Sequence, residues 1–242
     1  MATVTTAGDQ PDDFEGFSAA AFQFLVDLAM NNDRSWFQPR KADYERLWKR
    51  PLEAFCVALD VALAGRSVPL AADPHRSPFR IYRDVRFSTD KSPYKTWVSA
   101  SFPWTGPGGG VGGYVHFQPG SSYVGGGLWH PAPARLAAWR AKVVEDRASL
   151  HARLDDPGFA AMFGRLDGDA LKRAPAGYSA DDPDIELLKL KDITFGRRLA
   201  DAEAASRSLP GIVADAFAQA APLLGLLAGL PGHEAPAGWL RG

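Results

Sequence analysis

The chain has 242 residues, of which 46% are hydrophobic, and its formal net charge at pH 7 is −1. This length and composition suffice to bury a sizeable core, so one large domain is the default expectation. The near-neutral charge excludes a global field that favours nucleic acid or membranes, and a single cysteine, Cys56, excludes an intrachain disulfide framework and a cysteine zinc site.

The N-terminal quarter of the chain predicts a short tail followed by helices. Residues 1–13 are small and polar, which predicts a disordered tail. This stretch has neither the basic region nor the apolar region of a secretory signal. A serine cap and an apolar stripe predict a helix over 18–30. A basic helix over 39–49 and an apolar helix over 52–64 follow. No apolar run reaches the roughly 18 residues of a membrane span, so the sequence predicts a cytoplasmic protein without a membrane partner.

The middle of the chain predicts strands. Residues 79–87, FRIYRDVRF, alternate between apolar and polar side chains and predict an interior strand. A second strand is expected over 96–104. The run YVHFQPGSSYVGGGLW predicts a hairpin that places Tyr114, His116 and Gln118 on one face.

Helical patterns return over 134–153 and in the Ala/Leu-rich stretch 197–229. Helices, then strands, then helices predict an α+β fold with a mostly antiparallel sheet, its strands between about 79 and 130, packed with N-terminal and C-terminal helices. The expected organisation is one α+β domain over 14–230, with tails at 1–13 and 231–242.

Basic side chains concentrate in one short segment of this near-neutral protein. Residues 76–95 hold six basic residues against Asp84 and Asp90, a net charge of +4. Arginine offers a planar fork for bidentate contacts with phosphate or carboxylate, and lysine adds a point charge. The alternative is a strand stabilised by structural ion pairs to Asp84, Asp90 or the first helices. The predicted ligand-binding residues of this segment are Arg80, Arg83, Arg86, Lys91 and Lys95.

Two further clusters are expected beside this segment. The turn 31–37 contributes Asn32 and Arg34. The glycine run 125–127 leaves a strand nearly bare, which allows close approach of a ligand at Gly126. The candidate catalytic residues are His116, Asp84 and Tyr82. Because no H-x-E, HExxH or paired-cysteine spacing occurs, the sequence predicts no preformed metal site, and it assigns no cofactor.

Four segments of the chain resemble a known family. They are FEGFSAAAFQFLVDLAMNNDRSWF, FRIYRDVRFSTDKSPYKT, YVHFQPGSSYVGGGLWHP and LKRAPAGYSADDPDIELLKLKDI. They are similar to successive signatures of a widespread bacterial set of conserved hypothetical proteins, domain of unknown function 2461. The resemblance implies one domain in one arrangement over nearly the whole chain, and no substrate, cofactor or catalytic residue. One departure is Trp97, where similar sequences often carry a small or polar residue.

Three functions remain open from the residues alone. The first is a basic Arg/Lys/Tyr site for a phosphate-bearing or other anionic small molecule, with the reaction unassigned. The second is a nucleic-acid-binding module, in which basic residues contact the backbone and Tyr82, Tyr94, Trp36 and Trp97 stack on bases. The third is a non-enzymatic scaffold whose arginines are all paired internally.

Overall fold

The architecture is an antiparallel sheet of four strands packed with helices, which confirms the α+β prediction. The computed structural model describes residues 13–86 and 88–232. The strands, in sheet order, are β1 Val98–Pro103, β2 Gly112–Phe117, β3 Tyr123–Leu128 and β4 Ile193–Arg198. The helices are α1 Ala19–Met30, α2 Arg34–Phe37, α3 Lys41–Tyr44, α4 Arg50–Ala64, α5 Pro133–Glu145, α6 Arg147–Leu154, α7 Pro157–Phe163, α8 Ile185–Lys189, α9 Asp201–Ala204 and α10 Leu209–Ala228.

The N-terminal helices form where their caps and apolar faces predict them. The Ser18 side chain accepts a hydrogen bond from the backbone N–H of Ala21 at 3.2 Å and so begins α1. A 3-10 turn over Gln38–Arg40 and a π-helical turn over Glu45–Lys49 connect α2, α3 and α4 into an almost continuous helical stretch. Within it, the buried Trp48 indole donates to the Ala21 carbonyl at 2.7 Å, which joins this stretch to α1.

One face of the sheet packs into the core. Alternate residues such as Phe102, Val115 and Phe195 are buried on this face. Phe102 meets Phe217 of α10 edge-on, with ring centroids 5.8 Å apart. The ring of Phe217 also occupies the space beside Gly113, where a Cβ would lie 2.5 Å from it. This close packing fixes α10 against the middle of the sheet.

Helix α10, which packs in the core, is both long and apolar. By length and composition, α10 is the one helix in the described part of the chain that could cross a membrane, with a mean hydropathy of 1.6. Its buried residues include Val213, Phe217, Ala220 and Leu224, which belong to the hydrophobic core. The apolar side chains of α10 therefore pack against α4 and the sheet. The sequence expectation of no membrane span rested on uninterrupted apolar runs, and Asp215 interrupts this one.

The predicted strand at 79–87 is wrong. The chain pairs with β1 only around Phe79, whose N–H donates to the Ser99 carbonyl at 2.9 Å. It then turns away and pairs with residues 93–95, as Lys95 N–H donates to the Ile81 carbonyl at 2.7 Å. Ile81 is buried as the alternation predicts, and Phe87 lies outside the described residues. A two-residue alternation identifies an extended chain but does not identify its partner, and here the partner is the segment's own return.

The fourth strand also differs from the prediction. β4 ends at Arg198, inside the stretch 197–229 that was predicted to be helical, and strands extend to 198 instead of about 130. Its sequence, ITFGRR, is short and contains a glycine, so the local pattern is weak. β4 pairs with β3 from Tyr123↔Arg198 to Leu128↔Ile193, and this pairing holds the segment in the strand conformation that its own sequence predicts only weakly.

Asn32 connects the extended segment to the N-terminal helices. Its side-chain amide donates to the Tyr94 carbonyl at 3.0 Å, and its side-chain oxygen accepts from the Tyr94 N–H at 3.1 Å. Tyr94 is buried, and its ring stacks on Phe37 with centroids 4.1 Å apart. This geometry confirms that the turn 31–37 lies beside the segment 80–95.

We expect Asn32→Ala to lower the free energy of unfolding by about 2 kcal/mol, because two backbone groups of a buried residue lose their partners. The matched control is Asn31→Ala, since Asn31 is exposed and its amide donates only to the Asp27 carbonyl within the same helix end. That control should change stability by no more than about 0.5 kcal/mol. Urea unfolding of both variants measures the difference, and equal effects would contradict the structural role of Asn32.

Candidate functional site

The face of the sheet opposite the core borders a cavity of about 830 Å³. The strand register places side chains of this face in rows. One row runs across all four strands through Ser99, His116, Tyr123 and Arg198. The next row runs through Ser101, Tyr114, Gly125 and Gly196. Because successive side chains point to opposite faces, Ala100, Val115 and Val124, which lie between these rows, belong to the core, while Arg197 at the same level of β4 is half-buried.

Two paired glycines leave part of the cavity floor bare. Gly125 and Gly196 are register partners on β3 and β4. A Cβ on Gly125 would lie 2.3 Å from the Phe195 carbonyl oxygen, so the close approach of β4 excludes any side chain there. A Cβ on Gly196 would meet nothing closer than 3.5 Å. The space above Gly196 is therefore open to a ligand.

A stack of three rings forms the polar part of the floor. The His116 imidazole lies between Trp97 and Tyr123, with centroid distances of 5.6 Å and 4.9 Å and interplanar angles of 24° and 17°. Its Nδ1 lies 3.2 Å from the Tyr114 hydroxyl, and its Nε2 lies 3.0 Å from Oε1 of Gln118. Since an amide oxygen only accepts, Nε2 carries the proton and Nδ1 accepts from Tyr114. The predicted shared face of Tyr114, His116 and Gln118 is confirmed.

These groups are neutral at physiological pH. Burial lowers the pKa of His116, and the hydrogen bond to Gln118 opposes that effect. Burial also raises the pKa of Tyr114 and of Tyr123, whose ring centroids lie 5.7 Å apart. Both nitrogens of His116 are already occupied within this hydrogen-bonded chain. The floor therefore offers neutral hydrogen-bonding groups to a ligand instead of a free general base.

Lys95 supplies a cation at the β1 side of the cavity. Its ammonium lies 5.3 Å from the centre of the Phe79 ring. Burial lowers the pKa of Lys95, and the nearby positive charge of Arg80 lowers it further. Among residues 13–86 and 88–232, no carboxylate forms an ion pair with this ammonium. A half-buried cation without a carboxylate partner faces the cavity.

The β4 side of the cavity carries charges of both signs. Arg197 is held by Glu203 through two hydrogen bonds of 3.1 and 3.2 Å. Arg198, at the end of β4, donates to the Gly120 carbonyl at 3.3 Å. Asp167 accepts a hydrogen bond from the Thr194 hydroxyl at 3.2 Å. This side therefore contributes one paired arginine, one exposed arginine and one carboxylate.

The rim beyond β3 contains a strained residue. His130 has a φ of 49°, a left-handed conformation that is uncommon outside glycine. The buried Asp192 holds it there, accepting from the His130 N–H at 2.5 Å. The His130 ring contacts Trp129 with centroids 3.9 Å apart, and Trp129 lines the cavity. The strained turn thus positions an aromatic ring at the cavity edge.

Most of the predicted basic cluster lies outside the cavity. Arg83 is paired with Asp90, and Arg86 is paired with Asp84 at 2.6 Å. The Arg86 guanidinium lowers the pKa of Asp84 to about 2. Lys91 donates to the Val85 carbonyl at 2.9 Å. Two arginines of this loop are therefore bound by the loop's own aspartates, an arrangement that fits the scaffold alternative.

Of the predicted site residues, the cavity brings together only Lys95, His116 and Gly126. Asn32 binds the Tyr94 backbone, Arg34 is exposed on α2, and Tyr82 is an exposed ring beside Tyr94. Arg80 lies close enough to Lys95 to lower its pKa but does not line the cavity. The sequence interpretation did not assign the following lining residues to the site: Tyr114, Tyr123, Trp129, Asp167, Thr194, Gly196 and Arg198.

No metal centre is built from the part of the chain that the structure describes. Within those residues, no three His, Cys, Asp or Glu side chains gather where they could hold an ion.

His151 lies in a separate cluster, where its Nε2 is 2.8 Å from Oδ1 of Asp184, and this hydrogen bond raises its pKa.

The two histidines predict opposite pH dependences of stability. The folded-state pKa of His116 lies below its ordinary value of 6.5, so the unfolded chain binds more protons and stability falls as the pH drops below about 6.5. The folded-state pKa of His151 is raised, so its contribution is present below 6.5 and is lost as the pH rises through the folded pKa.

We therefore expect His116→Phe to flatten the loss of stability between about pH 6.5 and 5. We expect His151→Gln to flatten the loss of stability as the pH rises above about 6.5, because the variant lacks the contribution that is lost in that range. Urea unfolding at half-unit pH intervals measures both slopes. The comparison uses the slope of each variant, because His116→Phe also lowers the overall stability by removing two hydrogen bonds. An unchanged slope in His116→Phe would contradict the neutral, buried state of this histidine.

Comparison with known proteins identifies the family and nothing finer. A family model described as "Conserved hypothetical protein (DUF2461)" matches residues 20–225. No curated protein and no solved structure matches the chain. The match covers most of the 242 residues. The chain therefore belongs to the DUF2461 family of conserved hypothetical proteins, as the sequence motifs indicated.

Proposed function

We propose that this protein binds a small anionic molecule in the sheet-face cavity, in the cytoplasm. The observation that carries the proposal is Lys95, a half-buried ammonium that faces the cavity and forms no ion pair with a described carboxylate. Burying a charge without a partner is unfavourable, and an anion bound beside it removes that penalty. A carboxylate or a phosphate group supplies such an anion.

The floor of the cavity suits the remainder of a small ligand. Ser99, Gln118 and Tyr123 offer hydroxyl and amide groups, while Trp97 and Trp129 offer apolar ring surface. Apolar walls with a few convergent polar groups are typical of small-molecule sites.

The pairing of the surface arginines favours a small molecule over nucleic acid. A nucleic-acid groove needs a continuous line of available cations along the backbone. Arg83 and Arg86 are held by Asp90 and Asp84, and Lys91 by a backbone carbonyl. We therefore keep the anion-binding hypothesis from the sequence. Its proposed site is now Lys95 and the cavity instead of the whole segment 80–95.

We expect Lys95→Met to weaken the binding of small anions at least tenfold, because a charge-assisted hydrogen bond contributes about 1.5–3 kcal/mol. Inorganic phosphate, phenyl phosphate and benzoate serve as probes in calorimetric titrations. Stability should stay the same or rise, since the substitution removes an unpaired, partly desolvated charge.

The matched control for that prediction is Lys91→Met, which removes a lysine of the same segment outside the cavity. It should leave the affinity for each probe unchanged. Equal losses in the two lysine variants would show that the segment attracts anions only by its general charge, and the cavity proposal would be dropped.

A graded series at Gly196 tests whether the ligand occupies the cavity. Because a Cβ at this position has ordinary contacts only, we expect Gly196→Ala to bind like the wild type. Gly196→Val and Gly196→Leu should weaken binding progressively, to below about one tenth for leucine, as the side chain fills the floor. Thermal melts confirm that the variants are folded. Wild-type affinity in Gly196→Leu would place the ligand elsewhere.

A further inference from the structure

We propose that the ligand is a zwitterion, whose acidic group lies at Lys95 and whose cationic group lies at Asp167. This inference rests on the proposed anion-binding function and adds the second charge of the ligand. In this arrangement Asp167 is the residue that distinguishes an amino acid from a simple acid of the same length.

Asp167 is fixed where it faces the cavity. Its backbone N–H donates to the Thr194 carbonyl at 2.9 Å, which holds it beside β4. Its Oδ1 accepts from the Thr194 hydroxyl at 3.2 Å. Its Oδ2 lies 3.7 Å from the position of a Cβ on Gly196. The carboxylate therefore lies beside the bare part of the floor, within van der Waals range of a Cβ at position 196.

The neighbouring cations do not neutralise this carboxylate. Arg197 is paired with Glu203, Arg198 donates to the Gly120 carbonyl, and Lys191 is paired with Asp169 at 3.1 Å. No Lys, Arg or His among residues 13–86 and 88–232 forms an ion pair with Asp167. Its only side-chain partner there is a neutral hydroxyl, so one carboxylate oxygen is available to a donor from a ligand.

Lys95 and Asp167 stand on opposite sides of one cavity. Lys95 precedes β1, at one edge of the sheet, and Asp167 lies over Gly196 of β4, at the other edge. Three interstrand spacings separate those edges by about 14 Å along the sheet, and both residues line the cavity. Between the two charges lie the neutral rings of Tyr114, His116 and Tyr123.

The charge arrangement discriminates among small acids. An ammonium group at Asp167 forms a charge-assisted hydrogen bond and neutralises a carboxylate that otherwise lacks a cation. A second acidic group at the same position is repelled by the like charge. A ligand with an acid at one end and an ammonium at the other therefore satisfies both Lys95 and Asp167, while a dicarboxylate satisfies only one of them.

The test compares ω-amino acids of four to ten carbons with straight-chain carboxylic acids of the same carbon number. Each pair is titrated calorimetrically into wild-type protein and into Asp167→Asn. We expect at least one amino acid to bind wild-type protein roughly tenfold or more tightly than its matched acid. Asp167→Asn should abolish that advantage while leaving the affinity for the simple acid unchanged or slightly improved.

The control variant is Asp169→Asn, which removes a nearby exposed carboxylate that is paired with Lys191 and does not line the cavity. It should retain the full preference for the amino acid. Lys95→Met should weaken both members of each pair, because both carry the acidic group.

Each outcome separates this inference from the proposed function. If simple acids bind in a Lys95-dependent manner but no amino acid is preferred at any length, the zwitterion inference is overturned and anion binding stands. If the preference survives Asp167→Asn, Asp167 is not the partner and the inference is again overturned. If neither series binds the wild type and the anion probes do not bind either, both proposals fall.

Discussion

The alternation of side chains across four paired strands is the constraint on which the rest of the structure depends. Every second residue faces the helices, and the core residues Phe102, Val115 and Phe195 lie on that face. A slip of one residue would exchange the two faces of a strand. The packing of Phe217 against Gly113 leaves no room for such a slip. The same packing that stabilises the core therefore fixes His116, Tyr114 and Tyr123 on the cavity face.

The charged side chains of this protein fall into two groups, those that form ion pairs and those that do not. In the densest basic segment, two of the six cations are paired with the segment's own aspartates, since Arg83 and Arg86 bind Asp90 and Asp84. These pairs are exposed, so each contributes little to stability. Lys95 and Asp167 are different, because they line one cavity and lack ion-pair partners within the described ranges. Charge density along a sequence is thus a weaker guide to a site than the absence of a local counterion.

The chemistry of the cavity floor follows from burial and stacking. His116 is held between two aromatic rings and bonded through both nitrogens, which orients it and keeps it neutral. The chain of hydrogen bonds from Tyr114 through His116 to Gln118 is polar but uncharged. Trp97 is one of the two stacking rings. A floor of this kind is suited to the proposed ligand, because its polar groups are fixed in orientation and uncharged.

The sequence by itself determined the class of the fold, the helix that begins after Ser18, the shared face of Tyr114, His116 and Gln118, and the family. These features depend on local periodicity, capping chemistry and short motifs, which neighbouring residues decide. Only the tertiary structure decided that residues 79–86 turn away from β1, that β4 completes the sheet, and that Lys95 lines the cavity while Arg83 and Arg86 pair outside it. Asp167 reaches the site only because β4 pairs with β3 some 70 residues later in the chain. Partner choice between distant segments is set by packing and pairing free energies of the whole domain, and no local pattern records it.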